Sequence, residues 1–350
     1  MKIAISVDPE IPVPPIYYGG IERIVSMLVD EFVLAGHEVT LFANETSKSP
    51  ALLKAYSGKN SKSSIDTFRN MHLLFREIYN GNYDLVHSFS RLAYLAFLLP
   101  TRIPKIMSYQ RKPTVSQIIK AQKLAHKHSL IFTGCSDYIS NQIKPYAPTS
   151  TIYNGFPQDK FTFTDHLGPQ APLVFLGRIE AIKGTHHAID IALRSNKKLI
   201  IAGNISPEHQ SYFNQRIAPF VDGVQIRYIG PVDDAKKEDL LNQALAFLMP
   251  IEWDEPFGIV MVEAMACGTP VIALPRGAVP EIIKHGITGF ICDTIDHCIE
   301  KVFEVHSLNR AAIRNEAITR FSGKVIAQNY LDLYQKCINN KVPNNGTKCI

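Results

Sequence analysis

Glu255–Leu274 reads EPFGIVMVEAMACGTPVIAL and sets two carboxylates, Glu255 and Glu263, astride a glycine-containing turn and an apolar helix. The run before it, AFLMP at 246–250, has the length and bounded character of a buried strand, so 252–257 are predicted to form a loop at a strand's C-terminal end. Gly258 then opens a helix whose first amides lack internal partners and bring the positive end of the helix dipole into that loop. Such an end suits phosphate or sugar hydroxyl oxygens. Glu263 falls inside the helix among Ile259, Val260, Met261, Val262, Ala264 and Met265, where a carboxylate is costly without a hydrogen-bonding partner. A pair of ribose hydroxyls would satisfy it, and so would a nearby Lys or Arg. Cys267-Gly268-Thr269-Pro270 stops the helix, and VIAL is the next strand.

Outward from this stretch, short apolar runs alternate with longer helical patterns. KIAISV, EVTLF, DLVHSF, KIMSY and LIFTGC are strand-like, with helices expected at 21–35, 65–79, 114–128 and 138–143. The rhythm pauses over 154–170, NGFPQDKFTFTDHLGPQ, where Gly, Pro and polar residues cluster as in a linker. It resumes with PLVFLG, KLIIAG, VQIRYIG, AFLMP, PVIAL and GFIC. A βαβα rhythm of this kind builds parallel sheets, and 350 residues exceed most single domains. The expectation is an α/β chain of two doubly wound, Rossmann-like domains, 1–155 and 156–322, facing across a cleft that receives the ligand beyond the strand ends.

Two loops have the chemistry to meet phosphates. FLGRIEAIKGTHHAI places Gly177-Arg178 at a strand end and Lys183-Gly184 before a helix, and two cations near a helix start can neutralise a diphosphate. A solvated basic loop would have the same spacing. Tyr18-Gly19-Gly20-Ile21-Glu22 permits close backbone approach at another helix start, or is a plain cap. It is not G-x-G-x-x-G, which disfavours a nicotinamide cofactor.

The E-P-F-G-x-x-x-x-E-A-M-A-C-G-T-P-V run resembles the signature of retaining glycosyltransferases of family 4, which have the GT-B fold. The resemblance implies transfer of a hexose from a nucleoside diphosphate sugar, UDP-linked above all, to an acceptor hydroxyl with retention, and with no further cofactor. It gives Arg178 and Lys183 the leaving diphosphate, Glu255 the sugar hydroxyls, Glu263 the ribose, and the amides at Phe257, Gly258 and Ile259 the rest of the sugar pocket. Gly19 and Gly20 match the family's GG-x-E loop, which meets the donor phosphate from the opposite domain. The strand end through Val232 matches the place where the base is held, and helix 323–339 is expected to cross back onto the first domain. His87 and Arg91 are candidates for contact with acceptor or sugar, although a His at a strand end is also a common structural residue. Where relatives often carry a His near the reacting carbon, this chain has Gln110, which bonds hydrogen but cannot become cationic. Asn154-Gly155 resembles the family's turn at the domain junction.

No metal is expected. The chain has no D-x-D triplet, and Asp233-Asp234 are explained by helix capping. Two other readings stay open: a sugar-nucleotide epimerase on the same architecture, and a binding protein with a degenerate site. Net charge of +5 fits anionic substrates or a peripheral membrane contact without compelling nucleic acid. Lys48, Lys54, Lys59, Lys62 and Arg69 make one region basic, which would dock on anionic lipid or form an ordinary solvated surface. Six scattered cysteines argue for reduced thiols in the cytoplasm. The N-terminus has no signal-peptide pattern and no window approaches a membrane span, so a cytoplasmic protein is expected, with the option of peripheral attachment at the inner membrane face.

Overall fold

The computed structural model describes residues 1–16 and 19–339. Tyr18 of the glycine loop and the tail from 340 onward, with Cys349, lie outside the described residues. The chain forms two compact domains, Met1–Tyr153 with the segment from Gly323, and Asn154–Ser322.

Domain 1 runs β1 (Lys2–Ser6), α1 (Gly20–Leu34), β2 (Glu38–Ala43), β3 (Leu52–Ala55), α2 (Ser64–Asn80), β4 (Leu85–Ser88), β5 (Lys105–Tyr109), α3 (Val115–Leu124), β6 (Leu130–Gly134), α4 (Asp137–Ile143) and β7 (Thr149–Thr151). Its seven strands are ordered β3-β2-β1-β4-β5-β6-β7, all parallel. Strand order reverses between β1 and β4, which pair Ala4 with Val86. The central strands are buried on both faces, with apolar residues through their middles and buried Ser6, His87, Ser88 and Ser108 toward their C-terminal ends. α1 turns Ile24, Val25, Leu28, Val29 and Phe32 inward at helical spacing. Ser63 caps α2, its hydroxyl accepting from the Asp66 amide at 3.2 Å.

Two strands lie outside the expected set, and two expectations need correcting. The edge strands β3 and β7 carry LLKA and TST, one half exposed and one wholly polar, and neither displays an apolar run. The third helix stops at Leu124, because Ala125 is extended and the His126 amide bonds the Leu99 carbonyl at 2.8 Å. Part of the supposed linker is core: Phe156 and Phe161 are buried edge to face in domain 2.

Domain 2 runs β8 (Leu173–Leu176), α5 (Thr185–Arg194), β9 (Leu199–Ala202), α6 (Gln210–Arg216), β10 (Ile226–Tyr228), α7 (Asp234–Asn242), β11 (Ala246–Met249), α8 (Ile259–Ala266), β12 (Val271–Ala273), α9 (Val279–Ile282), β13 (Gly289–Ile291), α10 (Ile295–Glu304) and α11 (Arg310–Phe321). Its six parallel strands follow β10-β9-β8-β11-β12-β13, with the reversal between β8 and β11. The last described helix, α12 (Gly323–Asn339), packs on α1 within domain 1, where Tyr330 and Tyr334 are buried. The five described cysteines are free and buried. Among the described residues no helix is long and apolar enough to cross a membrane.

Candidate functional site

In an open parallel sheet the ligand position lies beyond the strand C-termini where the order reverses. In domain 2 that point is reached by the residues after β8, beginning Gly177-Arg178, and those after β11, running from Pro250 to Gly258. Lys183 Nζ reaches Glu255 Oε2 at 2.7 Å, both side chains largely withdrawn from water. Trp253 completes the unit: its indole N–H donates to the same Glu255 oxygen at 2.9 Å, while its ring lies 4.6 Å below the Lys183 ammonium. Two residues read separately in the sequence, one for phosphate and one for sugar, are therefore partners in one ion pair.

Backbone approaches that only glycine allows hold this pair in place. Gly184, in the left-handed region at φ +74°, would bring a Cβ within 1.9 Å of the Pro250 carbonyl oxygen. At Gly277, with φ +57°, a Cβ would fall 2.3 Å from the Glu255 carbonyl oxygen, and the Ala278 amide donates to that same oxygen at 2.9 Å. Neither glycine contact, nor Trp253, was legible as part of the site. Each depends on a segment brought from elsewhere in the chain.

Gly258 caps α8 with φ +82°, and Cys267 and Gly268 end it, as expected. The amides of Gly258 and Ile259 open this helix, and Phe257 is buried with its ring 5.9 Å from that of Phe321. Glu263 is buried in α8, where Lys237 Nζ meets Oε1 at 2.5 Å and also lies 3.3 Å from Asp234. The basic partner foreseen as one option for Glu263 is thus present. A ribose contact would have to share this carboxylate with Lys237. Arg178 forms a 2.8 Å ion pair with Glu180, a buried carboxylate whose other oxygen is 3.2 Å from His209 Nε2. Glu180 was also missed; it fixes the direction of Arg178. Val232 lies half-buried between β10 and α7, whose N-terminus Asp233 caps by accepting from the Lys236 amide at 2.8 Å. A separate cleft lined by His166, Lys198, Gln225 and Arg310 opens where β9 and β10 begin, at the edge of the sheet opposite to the ligand position.

In domain 1, Gly19 precedes α1 and Gly20 begins it, with a Cβ at Gly19 placed 2.7 Å from Pro15 and 2.9 Å from a Glu22 oxygen. Glu22 is buried beside Asp8 and Glu10, and burial above all pushes its carboxyl up to about 7. Asp8 is raised by burial too, although its Oδ1 accepts the Arg91 backbone N–H at 3.2 Å. Arg91 is half-buried after β4, and Gln110 is half-buried directly after β5.

His87 is a correction. It is fully buried rather than presented to a ligand, with Nδ1 2.5 Å from the Tyr334 hydroxyl and Nε2 2.7 Å from Ser108 Oγ. Both ring nitrogens are occupied and the ring packs on Phe89 and Tyr330. Burial lowers it to about 3, which keeps the imidazole neutral.

The model of glycosyltransferase family 4 matches residues 18–160, and that of glycosyl transferases group 1 matches residues 160–316. The chain is 23% identical to spore coat protein SA of Bacillus subtilis over 389 aligned residues, covering 96% of this chain and all of that one. Among solved structures it is similar to AviGT4, a glycosyltransferase involved in avilamycin A biosynthesis, with TM-score 0.74, 23% identity, and 97% of this chain and 98% of that one covered. It is similar also to HepE of Anabaena in complex with UDP and glucose, with TM-score 0.73, 19% identity, and coverage of 96% and 100%. The structural likenesses concern the fold, while the two family matches run in succession over most of the sequence. The chain belongs to the group 1 glycosyltransferases of family 4, with the GT-B fold.

Proposed function

We propose that this glycosyltransferase moves a hexose from a nucleoside diphosphate sugar, UDP-linked, to an acceptor hydroxyl with retention at the anomeric carbon. The observation that carries the reading is the Lys183–Glu255–Trp253 unit at the strand-order reversal of domain 2, where a cation, a carboxylate and an aromatic face are pre-assembled. A donor diphosphate attracts Lys183 and Arg178, and Glu255 is then released to accept from sugar hydroxyls. The acceptor oxygen attacks the anomeric carbon as its bond to the β-phosphate oxygen breaks; the acceptor proton passes to the departing phosphate on the same face. Arg178 and Lys183 stabilise the charge that develops there. No covalent nucleophile and no metal are assigned. Asp233 is already engaged as a helix cap. The UDP and glucose bound to HepE, a protein of the same fold, support the choice of donor.

The test is a panel of UDP-, GDP- and ADP-sugars scored by thermal shift, followed by NMR of the product with a matched acceptor. A UDP-sugar should raise the melting temperature most. An inverted anomeric configuration, an altered sugar nucleotide in place of free diphosphate, or loss of turnover with chelator in a preparation whose fold and melting temperature are intact would each refute part of the proposal. Arg178→Ala and Glu255→Gln should each lower kcat/KM by about 10²–10³-fold; unchanged transfer would remove the site assignment.

A specific surface supports acceptors presented at a membrane. On α2 and the segment between β4 and β5, Phe68, Phe75, Tyr79 and Phe97 form a chain of ring contacts, with Ile65, Phe68 and Tyr79 more than half exposed. Lys54, Lys59 and Arg69 are ion-paired with Glu77, Glu45 and Asp66, which weakens the basic field expected from sequence and gives the aromatics the larger part. Binding to vesicles of mixed neutral and anionic lipid should fall on Phe68→Ser with Tyr79→Ser. Retention equal to the parent chain would remove the membrane reading.

A further inference from the structure

We propose that His186, His187 and Glu252 form a binding site for a divalent transition-metal ion of the borderline class, zinc in the first place. One ligand atom from each lies within 4.8 Å of the others, a separation that a single ion can span. His187 Nε2 is 2.9 Å from Glu252 Oε1, and His186 Nε2 is 4.0 Å from the same oxygen. Tetrahedral zinc with bonds of about 2.0–2.1 Å separates its ligands by roughly 3.3 Å, so the two distances bracket the required value. Two imidazoles with one carboxylate select zinc, cobalt or nickel over magnesium and calcium, which favour all-oxygen sets. Half-exposed Glu252 leaves the remaining coordination position open to water.

The surroundings orient the first imidazole for this task. His186 Nδ1 lies 2.8 Å from the Tyr212 hydroxyl, which also accepts the His186 backbone N–H at 3.2 Å. An Nδ1–H donated to that oxygen leaves Nε2 with its lone pair toward the ion, the arrangement by which an outer partner sets a ligating histidine's tautomer. The rings of His186 and His187 lie with centroids 4.0 Å apart and planes tilted by 37°, so both are held on one side of the start of α5.

The ion acts as a clamp and takes no part in transfer, and this inference does not rest on the assignment of donor or mechanism. The histidines follow Lys183-Gly184, and Glu252 heads the segment that carries Trp253 and Glu255. One backbone bond already joins the two segments, from the Glu252 amide to the Ile182 carbonyl at 2.9 Å. A metal bridge would add a second tie beside it.

The experiment is zinc titration of the untagged full chain by calorimetry, with cobalt absorption as a spectroscopic reporter and Cys349→Ser as the background to exclude a thiol outside the described residues. The expected result is one ion per chain, tetrahedral cobalt bands, and a rise of several degrees in melting temperature at saturation. His187→Ala and Glu252→Gln should each weaken binding at least 10-fold while the metal-free melting temperature stays unchanged. Tyr212→Phe should weaken it about 10-fold through the lost partner. Absence of saturable binding, binding insensitive to His187→Ala and Glu252→Gln, or equal affinity for magnesium would overturn the proposal.

Discussion

At the scale of single residues, the geometry turns several acid and base groups into measurable quantities. Glu22 keeps its proton in the folded state up to about pH 7, whereas an ordinary glutamate loses it near 4.5. Stability is therefore lost as pH rises through that window. His87 has the opposite slope: held neutral down to about 3 against an ordinary 6.5, it favours the fold above 6.5 and withdraws that support as pH falls. The two effects oppose each other between 4.5 and 6.5. By pH 8 the full cost of ionising Glu22 in its buried place beside Asp8 applies, so Glu22→Gln should stabilise the protein by up to about 3 kcal/mol there, each tenfold change in proton affinity being worth about 1.4 kcal/mol. Urea melts across pH would show it; a parent chain and variant with parallel profiles would exclude the effect. At the proposed donor site, Lys183→Ala leaves Glu255 with the Trp253 donor, and kcat should fall by about 10²-fold or more.

At the scale of elements, the Glu255–Leu274 stretch was readable because its information is local. A strand end, a left-handed glycine cap, an apolar helix, a glycine-proline stop and a strand follow one another in the order their side chains dictate. What could not be read was long-range pairing: Lys183 with Glu255, Lys237 with Glu263, and His87 with Tyr334 far along the chain. Such partners depend on which loops the sheet order brings together, and a spacing rule cannot supply that. The β3 and β7 edges escaped for another reason, since an edge strand needs no apolar run. Arg310 of α11 shows how much one unread residue can join. It is buried and donates to the carbonyls of Asn242, Ala244 and Cys267 at 2.8, 3.1 and 3.2 Å, binding the ends of α7 and α8 to α11. Arg310→Ala would leave those acceptors unpaired and should destabilise domain 2 by about 3–5 kcal/mol, read by calorimetry. Gly184→Ala would drive a Cβ into the Pro250 carbonyl and part the Lys183 and Glu255 segments. Transfer should drop about 10²-fold, because a displacement near 1 Å is costly at a reacting centre.

At the scale of the whole molecule, the return of α12 makes domain 1 discontinuous in sequence and domain 2 continuous. A fragment spanning 154–322 carries its own six-stranded sheet and should unfold cooperatively when expressed alone. The fragment 1–153 lacks Tyr330 and Tyr334, which bury His87 from one side, and should be recovered soluble only when a peptide covering 323–339 is supplied in trans. Equal behaviour of 1–153 with and without that peptide, by near-UV circular dichroism, would contradict this account. The consequence extends to the order of biogenesis. The first half of the chain to leave the ribosome is the last to be finished, since the hydroxyl that seals His87 lies 247 positions downstream. Domain 2 can close while domain 1 still exposes that seam, and a nascent chain that stalls before Tyr334 presents an open binding surface for chaperones on a domain whose sheet has already been synthesised.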